Sequence, residues 1–342
     1  VRARAFLLPL VAAFSFALPA AAGWREAAEH NARAGGVSMV VVERGERMFE
    51  DYPNGGGVDR AWDLASGTKS FSGVLAAAAV KDGLLTLDEK ASDTLTEWRS
   101  DPRKRTITLR EILNLTSGLK PARVGSAPTY DAAIKAPAVA DPGDAFEYGP
   151  LNFQIFGEIL RRKLRTFEGG SYADPLAYLD ARVLKPAGVD YAGWKRGRDG
   201  MPVLAHGASL TAREWAEFGV HVLEGGGDVD QVAFAALFEG SAVNAGYGLT
   251  WWLKAAPRAE TLARSRTMRE ASDLFTHPRR GELPADLVMA AGAGGQRLYL
   301  IPSRGLAIVR QHPKLFETRL ARRRAGDIEF SDVEFLLAAL EE

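Results

Sequence analysis

Strand-like runs lie near both ends of this chain and helical periodicity fills its middle, and no other feature constrains the fold as much. Gly36 to Glu43 is a β-branched run ending in charge, and Arg47 to Tyr52 is its hairpin partner, turned at Arg44-Gly45. Far along the chain, Tyr247 to Leu253, Leu287 to Ala291, Leu298 to Ile301 and Leu306 to Arg310 read as strands, the last two flanking a Pro302-Ser303-Arg304-Gly305 turn. Between these groups, Ser66 to Lys81, Thr108 to Leu115, Asn152 to Leu164, Pro175 to Leu184 and Thr211 to Leu223 carry apolar residues at helical spacing, and Ile328 to Leu340 closes the chain with a helix. Thr211 with Glu214 forms a capping box, and Gly83 is a suitable stop for the helix from Ser66. Strands from both ends predict an α/β (α+β) fold, a mixed antiparallel sheet flanked by helices with a helical lobe inserted. The sheet lobe takes about 23–65 and 245–342, and the helical lobe about 66–244. Ala255 to Leu283 is polar and irregular.

The first residues follow a different rule. Arg2 and Arg4 precede an apolar run from Ala5 to Leu18, and Ala20-Ala21-Ala22 supplies small residues ahead of Gly23. That order predicts a secretory signal peptide over 1–22, cleaved after Ala22, with the rest of the chain periplasmic or secreted. The run is short of the roughly 20 residues a spanning helix needs, so no stable membrane insertion is expected after cleavage. The 43 basic and 43 acidic residues balance, which argues against nucleic acid as a partner. Arg319, Arg322, Arg323 and Arg324 read as a solvated helix face. With no cysteine there is no disulfide, thiolate nucleophile or Cys-based zinc site, and the five histidines form no close ligand pair, so neither metal nor cofactor is expected.

The chemistry points to serine. Ser-x-x-Lys occurs at Ser66-Gly67-Thr68-Lys69 and at Ser117-Gly118-Leu119-Lys120. The second copy runs into Pro121, and Gly118 and Pro121 both oppose a helix. The first opens the long apolar helix, where positions three apart are neighbours, so Lys69 sits beside Ser66. A helix N-terminus favours negative charge on the serine oxygen, and a dry site pushes lysine towards the neutral amine that accepts a proton. Ser66 alone reads equally well as a plain N-cap. Tyr148, in the turn before the Asn152 helix, is the second candidate proton carrier. The run Gly292-Ala293-Gly294-Gly295-Gln296, after the Leu287 strand, is the candidate oxyanion and substrate-binding segment, with Gly294, Gly295 and Gln296 as its named residues, because glycines let backbone N–H groups approach a substrate. There is no G-x-S-x-G elbow, and no G-x-G-x-x-G follows a strand.

Taken in order, these segments resemble the β-lactamase-related serine hydrolases, which include class C β-lactamases, D-Ala-D-Ala peptidases, esterases and nylon-oligomer hydrolases. Trp62 to Phe71 resembles that family's active-serine segment, and Asp82 to Glu89 and Ile107 to Leu119 look like the segments after it. Phe146-Glu147-Tyr148 falls where the family has its tyrosine, and Tyr247 to Trp252 and Gly294 through Pro302 complete the order. The resemblance implies a β-lactamase/transpeptidase-like fold and an acyl-enzyme at Ser66, with Lys69 and Tyr148 as acid and base and the backbone N–H groups of Ser66 and Gln296 holding the oxyanion. Two departures stand out. The family's asparagine position is Pro150 here, with Asn152 two residues on as its candidate replacement, and no K-[ST]-G occurs. The missing lysine favours the esterase and amidase branches, with a small ester or amide as substrate. A true class C-type β-lactamase or D-Ala-D-Ala carboxypeptidase is the alternative, and a non-catalytic β-lactam or cell-wall binder is a third.

Overall fold

The computed structural model describes residues 18–265, 272–313 and 329–341. Six strands form the main sheet: β1 (Ser38–Glu43), β2 (Glu46–Asp51), β6 (Trp252–Leu253), β7 (Val288–Gly292), β8 (Gln296–Ile301) and β9 (Leu306–Gln311). Their order is β2-β1-β9-β8-β7-β6, antiparallel throughout, so the N-terminal hairpin joins the C-terminal meander where Val40 faces Val309. This is the α/β architecture the sequence predicts. Strands β1, β7, β8 and β9 are buried almost throughout because helices cover both faces. That explains why they read as continuous apolar runs rather than alternating ones.

Five helices bear on the site: α1 (Leu18–Arg33), α2 (Lys69–Lys81), α3 (Leu151–Leu164), α4 (Ala212–Leu223) and α5 (Asp332–Leu340). Helices α1 and α5 pack together over one sheet face, and α4 lies on the other, where Gly219 admits Leu298, Leu300 and Ala307. Thr211 and Glu214 form the expected capping box, as do Thr108 and Glu111. Helix α2 ends as predicted at Gly83 (φ 69°). The Gly83 N–H donates to the Val80 carbonyl and the Leu84 N–H to that of Ala79, which closes the last turn.

Several boundaries differ. Of the expected strand Tyr247 to Leu253 only Trp252 and Leu253 join the sheet, because the chain folds back through Thr250 (φ 75°). Pro175 to Leu184 divides into an α-helix over Pro175–Leu179 and a π-helical turn over Asp180–Leu184. Ala255 to Leu283 holds a short helix, Ala259–Arg264, and a tight turn, Pro278–Glu282. A second sheet was not foreseen: β3 (Trp62–Asp63), β4 (Gly193–Trp194) and β5 (Ala208–Leu210), in the order β3-β5-β4. Strands of two or three residues are too short to show a period. Most of the expected leader and the arginines at 319 and 322–324 lie outside the described residues, and Ala22 lies inside α1. No helix among the described residues is long and apolar enough to cross a membrane.

Candidate active site

Ser66 sits on a tight 3-10 turn, Ala65–Thr68, that leads into α2, so the α-helix starts at Lys69 and not at Ser66. Ala65 takes a left-handed conformation (φ 48°), rare for a residue with a β-carbon, and the Gly67 N–H closes on the Leu64 carbonyl at 3.0 Å. The turn is wedged from two sides. A β-carbon on Gly67 would meet Trp215 of α4 at 2.8 Å, and one on Gly292 of β7 would meet the Leu64 carbonyl oxygen at 2.0 Å. The serine turn therefore lies directly against the end of β7.

A cavity of about 230 Å³ opens over this turn, lined by Ala65, Ser66 and Lys69 and closed by Tyr148, His206 and Ala293, with Val124, Pro150 and Lys195 at its other walls. Lys69 is 3% exposed. Its Nζ lies 3.0 Å from Ser66 Oγ and donates to the Ala205 carbonyl at 2.8 Å. Burial lowers its pKa to about 7, because the ammonium loses its water. The rings of Tyr148 and Phe153 flank the same nitrogen, their centroids 5.0 and 5.2 Å away.

Tyr148 shares a hydrogen bond with Ser66, and burial pushes its phenol up to about 12 despite that bond and the charge of Arg297. The turn before α3 carries it, and it stacks on Trp252 (5.3 Å between centroids) with Tyr247 edge-on beside it, so an aromatic cluster fixes the ring. Ser66, Lys69 and Tyr148 thus converge, as the sequence order implied.

The remaining predicted residues fall elsewhere. Gly294, Gly295 and Gln296 do not line the cavity; Ala293 does. The Gln296 side chain is fully buried, donating to the His312 carbonyl and accepting from its N–H. Gly292 pairs with Gln296 across the hairpin, so a connection of only three residues turns Gln296 back into the sheet. Asn152 is buried in the first turn of α3, with its Nδ2 on the Ile112 carbonyl (3.0 Å) and its Oδ1 accepting from Ser117 Oγ (3.1 Å). Both ends of its amide are engaged away from Ser66, and the position nearer the cavity belongs to Pro150, which has no amide to offer. Ser117, of the second Ser-x-x-Lys, is spent on that same bond.

Three further contributors carry no local signal in the sequence. Ala205 and His206 precede β5, and Lys195 follows β4, so the unforeseen small sheet delivers all three. His206 is neutral, lowered to about 4 by burial and then by Lys69. Lys195 is paired with Asp63 at 2.5 Å, which joins β4 to the strand just before the serine turn. Among the described residues no group of acids or histidines is arranged to hold a metal ion.

A family model described as Beta-lactamase matches residues 24–328. Protein flp of Staphylococcus aureus (strain COL) is 23% identical over 192 residues, which is 49% of this chain but 37% of that protein, so the chain spans little more than a third of the length of the curated relatives it matches. Among solved structures, the hydrolase EstCE1 superposes with a TM-score of 0.64 at 14% identity, over 94% of this chain and 98% of its own. A protein described as a 6-aminohexanoate-dimer hydrolase from Bacillus anthracis gives 0.63 at 17% identity, over 89% and 79%. A class C beta-lactamase from Rhodobacter sphaeroides gives 0.58 at 18%, over 90% and 97%. At these identities the three structures establish the shared fold.

Proposed function

This chain belongs to the beta-lactamase family, whose fold is that of hydrolases, and from that premise we propose that it is an exported serine hydrolase acting on a small ester or amide. One observation carries the reading: Ser66 Oγ lies 3.0 Å from a buried lysine nitrogen whose pKa is about 7, inside a cavity and hydrogen-bonded to a tyrosine. A serine hydroxyl becomes a useful nucleophile only beside a base, and a neutral amine at this distance is one. Tyr148, held neutral by its raised pKa, serves better as a relay than as a tyrosinate base. Lys69 is therefore the group that takes the proton.

Ser66 Oγ attacks the carbonyl carbon and its proton passes to Lys69. The oxyanion is held by the backbone N–H groups of Ser66 and Ala293, which replaces Gln296 because Ala293 is the hairpin residue at the cavity. The tetrahedral species collapses as Lys69, through Tyr148, returns a proton to the leaving alcohol or amine. Water then adds to the acyl-enzyme by the same route in reverse, releasing the acid and restoring Ser66. The named activities of two structural neighbours fit: EstCE1 is called a hydrolase with promiscuous acyltransferase activity, and the Bacillus anthracis protein a 6-aminohexanoate-dimer hydrolase. The basic, apolar and small-residue order of residues 1–22 supports export.

Purified protein and its Ser66→Ala variant, assayed on a short-chain p-nitrophenyl ester and a chromogenic cephalosporin, test the reading. The expected result is ester turnover that the variant loses, with little cephalosporin cleavage. Fast cephalosporin cleavage favours the β-lactamase alternative. Turnover equal in the two proteins removes Ser66 as nucleophile, and acylation of Ser66 without turnover favours the binder.

A further inference from the structure

On the sheet face beneath α1 and α5, directly behind the cavity wall, two arginines occupy opposing positions. Arg297 of β8 and Arg310 of β9 are register partners, and neither is more than 3% exposed. Like charges across a ladder repel, and buried charges are costly, so packing alone does not favour this pair. What they share is a target. Arg297 Nη1 donates to the Gly292 and Gln296 carbonyls, each at 3.0 Å, and Arg310 Nη1 donates to that of Gly295 at 2.7 Å. Three carbonyls of one hairpin are gripped from behind. Gly295 takes a left-handed conformation (φ 82°) that favours glycine, and a β-carbon there would also sit 2.1 Å from Arg310 Nη1.

Both guanidiniums are themselves braced. Asp332, the first residue of α5, receives Arg297 Nε at 2.5 Å and Nη2 at 3.2 Å. Arg310 Nε donates to Asn31 of α1 at 2.8 Å, and its guanidinium lies 3.8 Å over the Phe330 ring. In a trans peptide the carbonyl and the following N–H point in opposite directions. Drawing the Gly292 carbonyl back onto Arg297 therefore turns the Ala293 N–H the other way, towards the side on which Ala293 lines the cavity beside Ser66.

We propose that Arg297, braced by Asp332, is a positioning residue that aims the Ala293 N–H at the oxyanion formed on Ser66, while Arg310 fixes the return limb of the same hairpin. The proposal rests on the serine-hydrolase reading. Neither arginine touches substrate; both act through the backbone.

Arg297→Lys keeps the charge opposite Asp332 but loses the forked geometry. Arg297→Met with Asp332→Leu removes both charges together, which spares the fold an unpaired buried acid. Both proteins and wild type would be measured for ester kcat and KM, for affinity towards a phenylboronic acid, which becomes tetrahedral on the serine, and for affinity towards the planar product acid. Expected is a fall in kcat of about 10- to 100-fold, somewhat less than loss of an oxyanion donor. KM and product affinity should hold within a factor of about two, boronate affinity should fall in step with kcat, and the acid limb of the pH profile should stay in place because Lys69 is untouched. Unchanged kcat and boronate affinity with a lowered melting temperature, or failure of both variants to fold, would make the pair structural and overturn the proposal. Wild type without Ser66-dependent turnover would instead sink the underlying reading, so the two failures are distinguishable.

Discussion

Burial alone sets the chemistry of Lys69: with its ammonium stripped of water, the pKa falls to about 7 and the amine is half free at neutral pH. With Lys69 as the proposed base the active form is the deprotonated one, so kcat/KM for an ester should rise with pH through an apparent pKa near 7. A profile flat from pH 5 to 9 would remove Lys69 as the base. The same burial has a stability sign. Between about 7 and the ordinary lysine value the unfolded chain holds a proton that the folded chain does not, so this group's contribution improves as pH rises across that window. At pH 7 Lys69→Met should therefore abolish turnover while stabilising the fold by roughly 1–3 kcal/mol, with the gain shrinking towards pH 10. A lower melting temperature for the variant at pH 7 contradicts this. Tyr148→Phe keeps the stack on Trp252 but removes the relay, and kcat should fall by about 10²–10⁴. The Ser66–Lys69 pair was legible because three positions along one helical turn is local geometry. Ala205, His206 and Lys195 were not, because more than a hundred residues separate them from Ser66 and only tertiary pairing unites them.

At the scale of elements, the site depends on how closely the end of β7 approaches the serine turn. Gly292 is the contact, with the Leu64 carbonyl oxygen 2.0 Å from where its β-carbon would stand. Gly292→Ala must push hairpin and turn apart, moving Ser66 relative to Ala293. A cost of about 1–3 kcal/mol and at least a ~10-fold loss of kcat are expected. Gly83→Ala is the matched control. It strains a left-handed residue by about 1–2 kcal/mol, but nothing lies within 4 Å of its new methyl, so thermal melts should shift while kcat stays. Equal kcat losses in the two variants would mean that stability and not the hairpin contact governs activity. Glycine density after a short strand marks this hairpin in the sequence, but which residue reaches the cavity depends on where the turn reverses. A three-residue connection returns Gln296 to the ladder and leaves Ala293 at the cavity, a difference that composition does not encode.

At the scale of the whole molecule, the two ends of the chain meet. Helix α1 buries Trp24, Ala27 and Ala28, and Gly23 lies so close to the end of α5 that a β-carbon would fall 2.6 Å from the Ala338 carbonyl oxygen. Asn31, on the same helix, accepts from Arg310 and so joins α1 to the hairpin behind Ser66. Ala22 is exposed and Gly23 and Trp24 are buried, so the expected cleavage point falls beside buried residues of α1. That strands from both ends build one sheet was legible from their order alone. That the last residues of the expected leader would continue into α1 was not, because alanines before an expected cleavage site are also good helix formers. A chain beginning at Gly23 should fold and melt within about 1 kcal/mol of the full chain, a few degrees at this size. A chain beginning at Ala34 loses Trp24, Ala27, Ala28 and the Asn31 bond, which should cost more than about 3 kcal/mol and take ester turnover with it. Thermal melts of the three chains, with the N-terminal mass of protein recovered from the periplasm, decide the matter. Gly23 as the recovered terminus with an unshifted melt supports export and cleavage at the edge of the folded unit; a retained leader, or a Gly23 chain that does not fold, refutes it.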